Sequence, residues 1–389
     1  MIKIVILGST GSIGKTTLNI VKKNKKKFKV DLLSANLNAE LLYNQAKEFN
    51  VKNVILLNSK KNIFWIKKFH KNNINTFDNY LAFKKIFKKK VDYVINAISG
   101  IDGLQPTLSI IKHTKKIAIA NKESIICGWE LINRELLKNK TQFIPVDSEH
   151  FSIYELIKNQ KKQSIKKIIL TASGGPFLKV NKKKIKITDA LKHPNWKMGK
   201  KITIDSSTLM NKVFEVIEAK KIFNLKYQNI DILINPNSYI HGIVIFNNGI
   251  IKMLAHETNM DIPIYNSIYD KSSMHYYNTK KLDLKKINEL NLSKPNIKKF
   301  KTLKILKIVP KRDSLFETIL ITVNDELVDL FLKKQIEYEN ISFYLIKIIN
   351  FKIFKKYCNV KPVSVEQILK VRNIARNFVI NYVENRSNV

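Results

Sequence analysis

Short apolar runs alternate with amphipathic segments through the first part of this chain. The runs Met1 to Leu7, Phe28 to Ala35, Asn53 to Asn58, Val91 to Ala97 and Lys116 to Ala120 predict buried strands. Helical spacing of apolar residues predicts the intervening helices, one that follows Gly14 and ends at about Lys26, and two more at Ala39 to Phe49 and Leu81 to Lys89. Strands that alternate with helices are typical of an α/β protein with a doubly wound, Rossmann-like parallel sheet.

The pattern changes beyond the middle of the chain. Ile230 to Ile234 and Gly242 to Phe246 predict two further strands of a central α/β domain, whereas Ser272 to Lys299 is polar and typical of a connection. Apolar residues at three- and four-residue steps then predict a C-terminal α-helical bundle, with helices at Ser314 to Ile321, Glu326 to Gln335, Ile341 to Asn350 and Val365 to Glu384. We therefore expect a nucleotide-binding domain (1–147), a catalytic domain (148–275), a linker (276–300) and a helical domain (301–389).

A glycine turn joins the first strand to the first helix. Gly8, Gly11 and Gly14 follow the spacing G-x-x-G-x-x-G, which lets backbone amides approach a pyrophosphate at a helix N-terminus. The second strand ends at Ser34-Ala35-Asn36-Leu37-Asn38 without an acidic residue to bind a ribose 2′-hydroxyl. The sequence thus indicates a dinucleotide cofactor and favours NADP over NAD.

Two acidic residues lie beside a predicted strand end. Asp147 and Glu149 follow the apolar run Phe143 to Val146, so both side chains leave one face if the strand continues. Helical spacing places a third acid, Glu215, on one face with Asn211. Oxygen-only ligands favour Mg²⁺ or Mn²⁺. A solvated surface position is the ordinary alternative for any single acid, but this chain has only 31 acids against 70 basic residues.

Polar residues nearby suggest a phosphate site. Asp205 and Ser206 precede an apolar-periodic segment and predict a helix N-cap, whose amides attract anions. Asn211 and Lys212 follow, and Ser173 lies in a glycine-rich turn, so these side chains together could hold a phosphate. Capping alone is a sufficient alternative explanation for Ser206.

Two more segments are candidates for the site. His193 to Gly199 contains Trp196 among polar residues, which is typical of a mobile loop with an aromatic cover or of a surface loop with one buried Trp. Lys122 follows the predicted strand Lys116 to Ala120, and ligands of parallel sheets bind at the carboxyl ends of strands. A solvated lysine is the alternative for Lys122, because lysine is abundant throughout the chain.

The net charge changes this picture little. A formal charge of +39 and a pI near 9.9 would ordinarily suggest nucleic acid or an anionic membrane as a partner. The excess is nearly all lysine, scattered through every segment, whereas base readers and phosphate clamps use arginine in quantity. No apolar run is long enough to span a bilayer. We expect no specific nucleic-acid partner and no membrane partner.

The number of cysteines and the sequence at the N-terminus both indicate the cellular compartment. Cys127 and Cys358 are too few for a disulfide framework and lack the spacing of metal ligands. The first apolar run begins at Met1 and leaves no room for a signal peptide. Both observations lead us to expect a cytoplasmic protein.

Six blocks follow one another along the chain: Gly8 to Gly14, Ala120 to Ser124, Pro145 to His150, Ser173 to Phe177, His193 to Trp196 and Asp205 to Glu215. In this order and spacing they resemble the 1-deoxy-D-xylulose 5-phosphate reductoisomerases. The resemblance implies a homodimer that uses NADPH and a divalent metal. It implies conversion of 1-deoxy-D-xylulose 5-phosphate to 2-C-methyl-D-erythritol 4-phosphate, by rearrangement and then hydride transfer, in the non-mevalonate isoprenoid pathway. The alternative is another NADP-linked dehydrogenase for a small phosphorylated or semialdehyde substrate.

The resemblance also implies a role for individual residues. The implied metal ligands are Asp147, Glu149 and Glu215, and Lys122 and His193 complete the implied catalytic set. The implied substrate contacts are Lys122, Ser148, Glu149, Ser173, His193, Trp196, Ser206, Asn211, Lys212 and Glu215. The implied NADPH contacts are Thr10, Gly11, Ser12, Ile13, Asn38, Asn121, Glu123 and Gly199. The family commonly has a Gly-Lys pair where this chain has Asn36-Leu37.

Overall fold

The computed structural model describes residues 1–180, 184–196, 198–269 and 283–387. Within these ranges the chain forms two compact units, the first from residues 1–125, 131–151 and 259–269, and the second from the remaining described residues. The domain limits at residues 147 and 300 stay predictions. The limit at residue 275, together with residues 276–282 of the predicted linker, lies outside the described residues.

The first unit is built on a parallel sheet. Its strands are β1 (Ile2–Leu7), β2 (Phe28–Ala35), β3 (Asn53–Leu56), β4 (Asn75–Phe77), β5 (Val91–Asn96), β6 (Thr114–Ile119) and β7 (Gln142–Pro145). Among the described residues, these strands form one sheet in the order β4-β3-β2-β1-β5-β6-β7, and every neighbouring pair is parallel. The predicted Rossmann-like sheet is confirmed. The carboxyl ends of all these strands lie along one edge, where α/β proteins bind ligands.

Helices connect the strands of this sheet. The helices in the first 157 residues are α1 (Ser12–Lys23), α2 (Ala39–Glu48), α3 (Ile63–Lys71), α4 (Phe83–Ile86), α5 (Leu104–Ile111), α6 (Lys122–Lys138) and α7 (Ser148–Ile157). The sequence predictions included none of α3, β4, α5, α6 and α7. α3, β4 and α5 are short, which leaves few periods from which to recognise them.

A distant helix completes the core of the first unit. α11 (Asp261–Ile268) packs on α1, and its Ile264 and Ile268 are buried in the same apolar core as β1 and β2. The hydroxyl groups of Tyr93 and Ser267 lie 2.6 Å apart in this interface, and the ring centroids of Phe28 and Tyr269 are 5.4 Å apart. The core of this unit therefore depends on residues from two distant parts of the chain.

The second unit contains a mixed sheet. Its strands are β8 (Ile165–Ala172), β9 (Ile230–Ile234), β10 (Ile240–Phe246) and β11 (Ile251–Ala255). Within the described chain they form a sheet in the order β11-β10-β8-β9, with β8 and β9 parallel and the other neighbours antiparallel. The predicted strand Ile230 to Ile234 is confirmed at both ends, and β10 begins two residues before the predicted start.

The helices of the second unit include the predicted C-terminal bundle. The remaining helices are α8 (Ile187–Ala190), α9 (Lys200–Ser207), α10 (Met210–Ile222), α12 (Leu284–Asn288), α13 (Phe316–Leu332), α14 (Tyr338–Ile349), α15 (Lys352–Lys355) and α16 (Val365–Ser387). α13 packs on both α14 and α16. The prediction of two helices between Ser314 and Gln335 was wrong, since α13 is continuous. Its polar midpoint is stabilised because the amide of the buried Asn324 donates to Asp205 at 2.8 Å.

No helix within the described ranges has the length and apolar character needed to cross a lipid bilayer.

A buried ion-pair network holds α10 against α13. The ammonium of Lys221, whose side chain is 2% exposed, lies 2.9 Å from a carboxylate oxygen of Asp313 and 3.2 Å from one of Glu317. Burial lowers the pKa of Lys221, but the two carboxylates outweigh burial and raise it above its usual value. Lys221 is therefore charged, and its charge compensates the buried acids.

Replacing Lys221 with Met should destabilise the second unit by about 3–5 kcal/mol, because buried carboxylates would lose a compensating charge. Urea unfolding measures the loss of free energy of unfolding. Lys226→Met is the matched control at an exposed position, and it should change the free energy by less than about 0.5 kcal/mol. Equal stability of the two variants would contradict the role of the network.

Candidate active site

The glycine turn after β1 has a backbone that requires glycine. Gly8 has a φ of +79°, and a Cβ added to it would lie 2.8 Å from the carbonyl oxygen of Ala97. This close approach brings the turn over the neighbouring end of β5. Gly11 precedes α1, which starts at Ser12, so the helix opens at the carboxyl edge of the sheet. The predicted cofactor residues Thr10 to Ile13 form this turn and the start of α1, an arrangement that fits a pyrophosphate.

Two asparagines cap helices along the same edge. The side-chain oxygen of Asn38 accepts from the amide of Leu41 at 3.0 Å and caps α2. The side-chain oxygen of Asn121 accepts from the amide of Ser124 at 2.6 Å and caps α6, and its Nδ2 donates to the carbonyl of Gly100 at 2.5 Å. Asn121 thus ties the segment after β5 to the start of α6, which also contains Glu123.

Asp147 and Glu149 do not lie on a strand. β7 ends at Pro145 and α7 begins at Ser148, so the expectation that both acids leave one strand face was wrong. Asp147 instead directly precedes α7, and Glu149 lies in its first turn, where the helix dipole favours a negative charge. The Ser148 hydroxyl forms a short hydrogen bond with a carboxylate oxygen of Glu149. Because β7 ends at Pro145 and α7 begins at Ser148, Asp147 and Glu149 lie together at the N-terminus of α7.

Asp147 is paired with Lys122. The Lys122 ammonium lies 2.9 Å from an oxygen of Asp147, and the side chains are 8% and 17% exposed. Burial raises the pKa of the Asp147 carboxyl, but the Lys122 ammonium and the His150 imidazole outweigh burial and hold the pKa far below its usual range. Asp147 is therefore a carboxylate at physiological pH. Lys122 lies at the start of α6, at the strand-end position that the sequence predicted.

Glu215 lies on α10 between two donors. The Asn211 amide donates to one carboxylate oxygen at 2.5 Å, and the Lys212 ammonium forms a short ion pair with the other. The predicted shared face of Asn211 and Glu215 is confirmed. Glu215 and Lys212 are 1% and 3% exposed, so this charged pair is almost entirely removed from solvent.

Ser206 is not a helix N-cap. It lies within α9, and α10 starts after Leu209, which has a φ of +60°. The prediction that Ser206 caps a helix was therefore wrong. The glycine-rich turn nevertheless lies against it, because a Cβ on Gly175 would lie 2.8 Å from the carbonyl oxygen of Ser206. Gly175 has a φ of +67°, which favours glycine here. Ser173 and Ser206 therefore belong to two segments in direct contact.

His193 orients the hydroxyl of Ser173. The Nδ1 atom of His193 accepts from the amides of Asn195 and Trp196 at 3.2 and 2.9 Å, so the proton of the neutral ring is on Nε2. Nε2 lies 3.0 Å from the Ser173 oxygen, which also accepts from the Gly175 amide at 3.1 Å. With its oxygen accepting twice, the Ser173 hydroxyl is oriented to donate its own hydrogen to a ligand. Burial lowers the pKa of His193 to about 4.

The segment around Trp196 is held against β10. The Asn195 amide donates to the carbonyl of Pro236 at 2.7 Å and to the Ser238 hydroxyl at 2.8 Å. The edge of the Trp196 ring contacts the ring of His241 at a centroid distance of 5.9 Å, and His241 stacks on His256 at 3.7 Å. Gly199 precedes α9, and Lys197 of this predicted loop lies outside the described residues.

Asn195 and His256 were not singled out in the sequence. Asn195 lies within a recognisable His-Pro-Asn-Trp block, which was a local signal for it. His256 had no local signal, because only the antiparallel pairing of β10 with β11 brings it beside His241. The burial of His241 and the 3.1 Å contact between its Nε2 and the carbonyl of His256 are typical of a structural histidine.

The glycine turn on a parallel sheet and the buried carboxylates define an oxidoreductase of the class that uses a nicotinamide dinucleotide. Models of the 1-deoxy-D-xylulose 5-phosphate reductoisomerase family match the chain at residues 4–128, and models of its C-terminal domains match residues 143–223 and 256–378. The chain belongs to the 1-deoxy-D-xylulose 5-phosphate reductoisomerase family.

Individual proteins agree with this assignment. The 1-deoxy-D-xylulose 5-phosphate reductoisomerase of Pelagibacter ubique (strain HTCC1062) is 53% identical over 373 residues, which cover 95% of this chain and 96% of that protein. A crystal structure of DOX-P reductoisomerase in complex with NADPH, fosmidomycin and magnesium has a TM-score of 0.90 and 28% identity, covering 99% of this chain and 98% of that one. The Zymomonas mobilis enzyme in complex with NADPH has a TM-score of 0.87 and 27% identity, with coverages of 98% and 99%.

The His193 imidazole should titrate near pH 4, below the value of about 6.5 for a solvated histidine. Between about pH 6.5 and pH 4 the unfolded chain binds a proton at this residue and the folded protein does not. The free energy of unfolding therefore decreases as the pH falls through this range. Histidine side-chain NMR spectra recorded against pH measure the midpoint, and loss of the signal in His193→Gln assigns it. A midpoint near 6.5 would contradict the burial of this ring.

Proposed function

We propose that this chain converts 1-deoxy-D-xylulose 5-phosphate to 2-C-methyl-D-erythritol 4-phosphate with NADPH and a divalent metal. An intramolecular rearrangement comes first and hydride transfer second, as a step of the non-mevalonate isoprenoid pathway. The agreement with this family along nearly the whole chain carries the proposal. The alternative of a different NADP-linked dehydrogenase shares only the nucleotide-binding unit with this description and does not explain the match of the second unit.

Asp147, Glu149 and Glu215 are the proposed metal ligands. All three offer oxygen atoms only, which suits Mg²⁺ or Mn²⁺ and does not suit a metal that prefers sulfur. The ionised state of Asp147 supports the role, since only a carboxylate binds a hard cation well. A divalent metal, when bound, supplies Lewis acidity that stabilises negative charge on substrate oxygens. Lys122 contacts the same oxygens and adds a second positive charge.

The phosphate of the substrate is held by the second unit. Ser173 donates its hydroxyl hydrogen, because His193 and the Gly175 amide occupy its oxygen. Ser206 lies beside that turn, and Asn211 and Lys212 add an amide and an ammonium group. Ser148 and Glu149 orient the substrate hydroxyl groups.

The loop that contains His193 and Trp196 closes over the substrate and excludes water from the reacting atoms. Its attachment through Asn195 to the start of β10 supports a defined closed position.

NADPH binds along the carboxyl edge of the parallel sheet. Thr10, Gly11, Ser12 and Ile13 hold the pyrophosphate through backbone amides at the start of α1. Further along this edge, NADPH is bound by Asn38, Asn121 and Glu123. Gly199 lies beside the nicotinamide ring of NADPH. The bound cofactor supplies the hydride.

We also propose that the protein acts as a homodimer in the cytoplasm. β11 is an edge strand, and its Ile251 and Met253 side chains are 55% and 51% exposed, which favours contact with a second copy. Free thiols at Cys127 and Cys358 suit a reducing compartment.

The metal requirement is testable with purified protein. Given NADPH, Mn²⁺ and 1-deoxy-D-xylulose 5-phosphate, the protein should oxidise NADPH, which is followed by nicotinamide absorbance. A chelator should stop the reaction, and added Mg²⁺ or Mn²⁺ should restore it. Absence of NADPH oxidation with this substrate would contradict the proposed function.

Glu215→Gln should lower turnover by roughly 100-fold or more, because a neutral amide is a weak ligand for a divalent metal. NADPH should still bind, since its proposed site is formed by other segments. Fluorescence titration measures binding, absorbance measures turnover, and Glu289→Gln at an exposed position is the control. Loss of NADPH binding in Glu215→Gln would contradict the separation of the two sites.

Ile251→Lys should weaken a dimer formed through β11, because a charge would replace apolar surface at the interface. Sedimentation of the wild type should give twice the 45.2 kDa mass of the chain, and the variant should shift towards the monomer. Ile63→Lys, at a residue 60% exposed on α3, is the matched control and should leave the mass unchanged. A monomeric wild type would contradict the homodimer.

A further inference from the structure

The end of β2 has no charged residue where a Rossmann-like unit contacts the adenosine ribose. NADP-binding sites place a cation near this point for the 2′-phosphate, whereas NAD-binding sites place an acid there. Here Asn36, Leu37 and Asn38 follow β2, and Leu37 is 67% exposed. Asn38 is engaged as the cap of α2. A positive charge for the 2′-phosphate must come from another segment.

The turn after β3 lies directly beside this position. Backbone pairing continues past both strands, since the Leu57 amide donates to the Ala35 carbonyl and the Asn58 amide donates to the Asn36 carbonyl, each at 3.2 Å. The side chains are joined as well, because Nδ2 of Asn58 donates to Oδ1 of Asn36 at 2.7 Å. The segment after β3 is thus fastened to Asn36 by main-chain and side-chain hydrogen bonds.

This hydrogen bond sets the direction of the Asn36 amide. Its oxygen accepts from Asn58, so its Nδ2 end is the one that can donate to an anion. A single 3₁₀ turn, Ser59–Lys61, follows Asn58, and the Lys61 amide donates back to the Asn58 carbonyl at 3.2 Å. Lys61 is exposed at the end of this turn. Lys61 thus lies three residues after Asn58, whose main chain and side chain are both hydrogen-bonded to Asn36.

We propose that Asn36 and Lys61 bind the 2′-phosphate of NADPH, and that Lys61 gives the site its preference for NADPH over NADH. The ammonium supplies a charge-assisted hydrogen bond, and the Asn36 amide supplies a neutral donor. NADH has a 2′-hydroxyl at this position and gains little from the cation. This inference rests on the proposed use of NADPH and names the residue that selects it.

Binding of the two cofactors tests the role of Lys61. Dissociation constants for NADPH and NADH are measured by fluorescence titration of the metal-free protein. Lys61→Gln should raise the constant for NADPH about tenfold and leave that for NADH unchanged, because only NADPH loses a charge-assisted hydrogen bond. Lys61→Arg should retain most of the NADPH affinity. The fragment 2′,5′-ADP should compete with NADPH for the wild type and about tenfold less well for Lys61→Gln.

Lys26→Gln is the matched control. Lys26 is exposed in the 3₁₀ turn Lys25–Lys27, which precedes β2 and therefore lies at the opposite edge of the sheet. This variant removes the same charge from the same unit and should change neither constant. An equal loss in Lys26→Gln and Lys61→Gln would reveal a general effect of net charge and overturn the proposal.

The remaining outcomes separate the two proposals. A wild type that prefers NADPH, with the preference unchanged in Lys61→Gln, would overturn the role of Lys61 and leave the proposed function intact. A wild type that does not bind NADPH would overturn both.

Discussion

Pairing of buried carboxylates with lysines is the interaction on which this site depends. An uncompensated buried charge costs several kcal/mol, and here the ammonium groups of Lys122 and Lys212 lie against the carboxylates of Asp147 and Glu215. The same solution recurs between α10 and α13, where Lys221 compensates Asp313 and Glu317. These lysines are therefore distinct from the many solvated lysines that give the chain its formal charge of +39.

Much of the fold could be predicted because parallel strands buried on both faces leave continuous apolar runs. Phe28 to Ala35 and Ile230 to Ile234 were correct at both ends because polar residues bound each of these mainly apolar runs. Asp147 and Glu149 were assigned to a strand because alternation was extended past Pro145, although Ser148 already belongs to a helix. The start of α10 was missed because the left-handed conformation of Leu209 leaves no sequence signal, since leucine seldom adopts it.

The residue types of the site could be predicted, but their hydrogen bonds could not. Motif spacing identified His193 and Ser173, yet the tautomer of His193 follows only from two backbone amides that donate to its Nδ1 atom. The contact of Trp196 with His241, and of His241 with His256, depends on a pairing of strands that no local pattern encodes. Family membership supplied expectations for the ligands, and the described contacts supply the protonation states of Asp147 and His193.

The return of α11 to the first unit has a consequence for protein synthesis. Ile264 and Ile268 lie in the same core as β1 and β2, although the ribosome makes them more than two hundred residues later. The amino-terminal sheet therefore waits for most of the chain to be translated before its core is complete. During that interval the surface of α1 that receives α11 is uncovered. In a nascent chain, this apolar surface therefore stays accessible to solvent until residue 269 has left the ribosome.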